Sequence, residues 1–232
     1  MFNELDKTAK LVLCEDFKDS NIVIAKKTIY KIVKRLFDIV VSLIGMVFLI
    51  PLTIIIKIVT MCTGDFHSIF YSQDRIGLGG STFKFYKFRS MIPNADEVLM
   101  KMLKEDKEIA KEYKKMKKLE NDPRITKVGK FLRKTSLDEL PQLLNIFLGD
   151  MTLIGNRPYL PREKKDMGDY FNNIVKTKPG LTGFWQVSLR SRGTFEDRLK
   201  LEKFYSNNYG FLFDTQIFFK TFSIVLHRKG AK

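Results

Sequence analysis

The sequence predicts a mostly helical α+β chain: a re-entrant membrane helix, then a small cytosolic domain with a short β-hairpin and interfacial amphipathic helices. Three observations predict it. From Ile39 to Ile56 eighteen residues pass without a charge. Two short strand-like segments flank a glycine cluster, and the rest reads mainly as helical stripes carrying a large excess of lysine. With 232 residues the chain can bury one substantial core. The expected division is an N-terminal extension of unreadable role (1–30), the membrane helix (31–62) and the cytosolic domain (63–232).

Lys+Arg number 41 against 26 Asp+Glu, a formal charge of +15, so the partners are expected to be anionic: nucleic acid, phosphorylated substrates or acidic headgroups. Two cysteines, Cys14 and Cys62, argue against a disulfide framework and against a cysteine metal site. The first twenty residues carry Glu4, Asp6, Glu15, Asp16 and Asp19 and lack the pattern of a secretory signal.

The apolar run is preceded by Lys26, Lys27, Lys31, Lys34 and Arg35 and followed by Lys57, so both ends carry the charge bias of the cytoplasmic side. Pro51 removes one helical hydrogen bond and bends the axis, which lets the chain turn back to the side it came from. Leu36 to Ile50 would reach only roughly 22 Å, short of the roughly 30 Å hydrocarbon layer. A re-entrant helix is therefore preferred. A kinked, spanning helix stays open, since proline is tolerated there.

Ile69 to Tyr71 and Thr82 to Phe88 read as strands of a hairpin around Gly77, Gly79 and Gly80. Lys87 and Arg89 share a face there, either as a solvated edge or as anion contacts. Ala95 to Leu119 reads as one helix with the stripe Leu99, Met102, Ile109, Tyr113 and Met116. Residues 101–134 hold thirteen Lys/Arg and six Asp/Glu, thirteen minus six giving +7, which suits either a solvated face or acidic lipid. Phe211 to Leu226 is phenylalanine-rich and reads as an interfacial or a core helix.

Arg133 to Leu144 reads as a polar approach to a helix with the apolar face Leu140, Leu143, Leu144, Phe147 and Leu148, ended by Gly149. Ser136 and Glu139 match a capping box. That explains one carboxylate and leaves Asp138 without a structural reason. Acids at a helix start stay ionised, and such a start welcomes phosphate.

Taken together, Lys34-Arg35-Leu36-Phe37-Asp38, Lys87-Phe88-Arg89-Ser90-Met91, Asp122-Pro123-Arg124-Ile125-Thr126, Ser136 to Leu144, Gly149-Asp150-Met151, Arg157-Pro158 and Lys178-Pro179-Gly180-Leu181-Thr182-Gly183 resemble the bacterial sugar transferases. These are the monotopic phosphoglycosyl transferases that begin polysaccharide and glycan assembly. The likeness runs from about Lys34 to the C-terminus.

The resemblance implies transfer of a sugar 1-phosphate from a UDP-sugar to undecaprenyl phosphate, with release of UMP. Asp138 is then the nucleophile of a covalent phosphosugar intermediate, and Glu139 the Mg2+ ligand. Dense positive charge and a metal are what phosphoryl transfer asks for. Lys87, Arg89, Arg124, Arg133, Arg157 and Arg190 become the candidate phosphate contacts, Asp214 and Gln186 supporting residues, and Arg35, Asp38 and Pro51 residues of the membrane element. An Arg35–Asp38 ion pair at the membrane boundary is expected. Trp185 stacks on the base or packs in the core, core packing being favored.

The implied setting is the bacterial inner membrane with the catalytic domain on the cytoplasmic face, among membrane lipids. No nucleic acid is expected, and self-association is left open. Two departures stand out. Gly155-Asn156-Arg157-Pro158 replaces the usual Gly-Pro-Arg-Pro, and Leu189-Arg190 stands where Gly-Arg is common. Competing readings are a catalytically silent scaffold and a basic membrane-bound nucleic-acid binder; the order of Asp138, Glu139 and the arginines speaks against both.

Overall fold

The computed structural model describes residues 2–13, 27–117, 119, 121–189 and 193–226. Helix α1 (Phe2–Leu13) precedes the long α2 (Lys27–Cys62). A hairpin of β1 (Phe70–Ile76) and β2 (Thr82–Phe88) follows, then α3 (Ala95–Glu105), α4 (Lys107–Met116), α5 (Lys127–Thr135) and α6 (Gln142–Leu148). Strand β3 (Thr152–Ile154) pairs in parallel with β4 (Gly180–Thr182) across the short helices α7 (Lys164–Met167) and α8 (Phe171–Ile174). The described chain closes with α9 (Phe184–Ser188), α10 (Phe195–Asn208) and α11 (Phe211–Leu226).

Helix α2 is the one described helix long and apolar enough to cross a membrane. Its outer face is bare of protein: Val47, Phe48 and Ile50 are 66–70% exposed. The inner face stays with the globular part before and after Pro51. Before it, Arg35 donates to the carbonyls of Ile146 (2.5 Å) and Phe147 (2.7 Å) at the end of α6, where a cation also meets the negative helix end. Asp38, buried, accepts from the Leu153 amide of β3 at 2.9 Å. After it, Leu52 and Ile56, together with Leu49 just before the proline, pack with Phe88, Leu132 and Leu137. The expected Arg35–Asp38 ion pair is corrected by these contacts: each side chain instead ties α2 to a different element of the domain. Near the proline the Thr53 hydroxyl donates back to the Leu49 carbonyl at 2.7 Å, a bond that itself favours bending.

Three further expectations are revised. The first strand runs on to Ile76, because its register with β2 pairs Phe70 with Phe88 through to Ile76 with Thr82. The single helix expected over 95–119 is two helices: Asp106 is extended, and its carboxylate caps α4 through the amides of Glu108 and Ile109. Within the N-terminal extension, the described helix α1 packs against the domain. Leu5, Ala9 and Val12 of α1 lie in the main core with Leu201, Tyr205 and Ile217.

Helix α11 has one side in the core and one side bare. Ile217 and Asp214 face inward, while Phe211, Leu212, Phe219 and Phe222 are exposed. Its Phe218 ring meets Phe37 of α2 edge-on at 5.8 Å, so the bare apolar faces of α2 and α11 adjoin. A continuous exposed apolar face of this extent marks an interaction surface.

Backbone closeness at β3–β4 explains part of the Lys178–Gly183 motif. A Cβ on Gly180 would overlap the Gly155 backbone nitrogen. Gly180→Ala is therefore expected to push the strands apart and cost about 1–3 kcal/mol. A thermal midpoint equal to that of the parent protein would refute the close-approach account.

Candidate active site

Asp138 and Glu139 sit on one 3-10 turn, Leu137–Glu139, between α5 and α6. The capping box expected for Ser136 and Glu139 is not formed. Ser136 adopts a left-handed conformation (φ 58°) and its amide donates to the Arg133 carbonyl, so it closes α5 instead of opening the next helix. Glu139 thus has no capping duty, and Gln142 rather than the dyad begins α6. Gly149 ends α6 with φ 95°, as the sequence suggested.

The turn faces a polar pocket of about 270 Å3 whose cationic walls are Arg75, Lys87, Arg133 and Arg157. Four elements bring them there. Arg75 comes from β1, Lys87 from β2, Arg133 from the end of α5 and Arg157 from the loop after β3. The three arginines are held from behind, and the Lys87 ammonium lies 5.2 Å from the Tyr71 ring centroid. Arg75 donates to the Pro158 carbonyl at 3.0 Å and to Gln73 at 3.2 Å, and its guanidinium lies 5.1 Å from the Phe85 ring centroid. Arg133 donates to the buried Ser90 hydroxyl at 2.8 Å.

Arg157 is positioned through its backbone, its amide donating to Glu202 at 3.0 Å. Asn156 does the stiffening work that the missing proline would do. It is buried, and its side-chain amide donates to Ser206 (2.6 Å), Thr177 (3.1 Å) and the Ile174 carbonyl (3.2 Å).

Burial, followed by the charges of neighbouring groups, shifts the titrating groups. Burial, then the charges of Arg133 and Arg75, push the Lys87 ammonium down to about 8. Burial and the charge of Arg157 bring Arg75 down to about 10. Burial pushes the Asp138 carboxyl up against the pull of Lys87 and Arg133, and burial with the charge of Asp138 lifts Glu139 to about 7. Four cations around two carboxylates leave a surplus of positive charge. The pocket is built to be completed by an anion.

The remaining predicted residues are placed differently from one another. Arg89 and Arg124 are held by carboxylates: Arg89 lies 2.8 Å from both oxygens of Asp65, and Arg124 lies 2.8 and 2.6 Å from those of Asp122. Both line the adjoining cavity of about 500 Å3 rather than the dyad pocket itself. Gln186 reaches the dyad pocket, where its Oε1 is buried without a hydrogen-bond partner, an acceptor that a substrate hydroxyl can satisfy. Asp214 lies elsewhere, buried among Tyr30, Lys34 and Tyr205, with Tyr205 donating at 2.8 Å. Arg190 lies outside the described residues. Trp185 packs in the core with the Arg198 guanidinium 4.1 Å from its ring centroid.

Arg75 is the site residue that sequence reading missed. Ending the first strand at Tyr71 hid it; two more alternations along β1 would have placed it on the hairpin with Lys87. Ser90 and Glu202 were also missed, because their work is to position other residues.

No cluster of three or more His, Cys, Asp or Glu capable of holding a metal occurs among the described residues. The adjacent carboxylates of Asp138 and Glu139 are the oxygen donors at the pocket, a set that fits the one or two carboxylates by which Mg2+ is commonly held together with phosphates.

The profile of the bacterial sugar transferases matches residues 29–228. The chain belongs to this family. It is 43% identical over 201 residues to the undecaprenyl-phosphate galactose phosphotransferase of Salmonella typhimurium, covering 87% of this chain and 42% of that protein. The exopolysaccharide production protein ExoY of Sinorhizobium fredii is 39% identical over 199 residues, covering 85% of this chain and 87% of ExoY. The UDP-glucose:undecaprenyl-phosphate glucose-1-phosphate transferase of Klebsiella pneumoniae is 32% identical over 198 residues, covering 81% and 39%. The chain thus spans less than half of the two larger family members and most of ExoY.

Proposed function

We propose that the chain transfers a sugar 1-phosphate from a UDP-sugar to undecaprenyl phosphate, releasing UMP, and so begins assembly of a lipid-linked polysaccharide. One observation carries the reading: a turn with buried Asp138 and half-buried Glu139 faces four convergent cations, and Glu139 also lines a hollow that reaches the exposed Phe222. The named activities of the Salmonella and Klebsiella relatives support the substrate classes. The 500 Å3 cavity shares Arg75, Lys87, Arg133 and Arg157 with the dyad pocket, which supports a nucleotide lying there with its diphosphate on these cations.

In this reading an Asp138 oxygen attacks the sugar-bearing phosphorus. The bond from that phosphorus to the oxygen bridging the two phosphates breaks, and UMP leaves with the bond electrons. A phosphate oxygen of the lipid then attacks the same phosphorus, and the aspartate carboxylate is released. Lys87, Arg133 and Arg157 hold the equatorial oxygens, whose charge is largest in the transition state. Mg2+, when bound, neutralises the diphosphate, and Glu139 is the side chain that would hold it. Incubating protein-containing membranes with a panel of UDP-sugars and undecaprenyl phosphate, and measuring UMP, tests the proposal. No UMP from any donor would reject it.

Charge state sets the working range. Glu139 gains its charge as pH rises through about 7, and Lys87 loses its charge as pH rises through about 8. The rate is expected to climb on the acid side and to fall about tenfold per pH unit well above 8. Lys87→Arg should keep its charge and remove that alkaline fall. An unchanged alkaline limb in Lys87→Arg would assign the fall to another group.

The bilayer element is read as re-entrant with both ends cytoplasmic, at the inner membrane. Contacts of α2 with the same domain before and after Pro51 support this, since a straight crossing would draw that domain into the hydrocarbon. In a background without Cys14 and Cys62, cysteines at Asn21 and Ser72 should be equally protected from an impermeant thiol reagent in intact cells. Labeling at one site alone would mean a spanning helix.

A further inference from the structure

Besides the dyad pocket and the polar cavity, a third hollow of about 550 Å3 opens on the other side of the catalytic turn. Glu139, Arg157 and Gln186 line both this hollow and the dyad pocket, so the two are continuous. Away from that junction the walls turn apolar. Leu140 and Leu153 stand on one side, and Phe218, Phe222 and Ile224 of α11 on the other. Two of its polar groups satisfy each other: Thr182 and Thr221 share a hydrogen bond of 2.8 Å between β4 and α11.

We infer that this groove holds the phosphate-proximal isoprene units of the lipid acceptor, so that its phosphate enters the dyad pocket at the face of the aspartyl phosphosugar that UMP has vacated, in line with the Asp138 oxygen it displaces. The inference rests on the proposed function for the identity of the acceptor. Three features select a polyprenyl chain as occupant. The inner end is cationic at Arg157, as a lipid phosphate requires. The walls are apolar, and the hollow lies within the roughly 300–1,000 Å3 of small-ligand sites, room for the first few isoprene units but not a whole chain. The outer wall belongs to α11, whose Phe222 also stands on the bare apolar face adjoining α2, so the rest of the chain passes into lipid without crossing water. Arg157 and Trp185 border both this groove and the polar cavity, forming the partition between the two substrate paths.

The test is photo-crosslinking of the full chain in lipid nanodiscs, with a polyprenyl phosphate bearing a photoreactive group in its first isoprene unit. Transfer to unlabeled undecaprenyl phosphate is measured in the same preparation. Labels on peptides 181–187 and 218–224, competed by undecaprenyl phosphate, are the expected result. Labels confined to the outer face of α2, around Phe48 and Ile55, with transfer intact, would overturn the groove while leaving the function standing. Absence of transfer to any polyprenyl phosphate would remove the function and the groove together. As a second measurement, Phe222→Asp should raise the acceptor KM about tenfold more than Phe219→Asp, an exposed position on the same helix outside the groove. Equal rises would mean that the charge acts on membrane attachment alone and would overturn the assignment.

Discussion

Asp138→Asn is expected to abolish turnover and, with it, any phosphosugar adduct on the protein. An amide oxygen carries no charge to attack with, and the cations around position 138 would then hold the donor without a nucleophile. Loss of about 10^4-fold or more in rate is the scale for removing a covalent nucleophile. Glu139→Gln should fail differently. It keeps the attacking group, weakens the response to Mg2+ and slows both half-reactions. Because Ser136 caps the preceding helix and forms no box with Glu139, a nearly silent Glu139→Gln is not expected on structural grounds.

Intact-protein mass spectrometry after mixing protein, Mg2+ and the correct UDP-sugar without acceptor separates the roles. The parent should gain one phosphosugar and Asp138→Asn none. A parent that turns over with acceptor yet never gains that mass would point to direct transfer and take the nucleophile's role from Asp138.

Asp214→Ala is expected to be among the most destabilising single changes. Its carboxylate accepts from Tyr30, Lys34 and Tyr205, and so joins the start of α2 to α10 and α11. Removing it strands the Lys34 ammonium, whose side chain is 19% exposed, with only the Ile154 carbonyl and the Tyr205 hydroxyl for company. Breaking a buried pair from one side costs roughly 3–5 kcal/mol, because the surviving charge is left uncompensated. For a chain of this size that is a fall of roughly 6–20 °C in the unfolding midpoint. Asp214→Asn should fall between the two, keeping acceptor oxygen while losing charge. If Asp214→Ala unfolds with the parent and instead loses activity only, Asp214 would belong to the chemistry and not to the scaffold.

The same contacts explain the Lys34-Arg35-Leu36-Phe37-Asp38 motif, which the sequence could present only as residues beside a membrane. Lys34 reaches β3 and α11, Arg35 reaches α6 and Asp38 reaches β3. The motif is the joint between the long apolar helix α2 and the turn that carries Asp138 and Glu139. The Asp122-to-Thr126 motif is likewise a joint: Arg124 is occupied by Asp122, and Thr126 caps α5 through the Gly129 amide at 2.9 Å. Both motifs matter to the site by holding elements in place.

What the sequence determined by itself is what short-range physics writes into it. The uncharged run marks α2, the hairpin glycines mark the turn, Gly149 marks the end of α6, and adjacent Asp138 and Glu139 mark the candidate site, because each depends on neighbours within a few residues. The order and spacing of the motifs also disclosed the family. Tertiary structure alone decided which cations meet the dyad. Arg75 is 63 residues before Asp138, while the intervening Arg124, much nearer in sequence, is claimed by Asp122. Sequence distance cannot rank them, because an arginine already bridged by a carboxylate and one aimed into an open pocket have the same composition and differ only in what the fold packs around them.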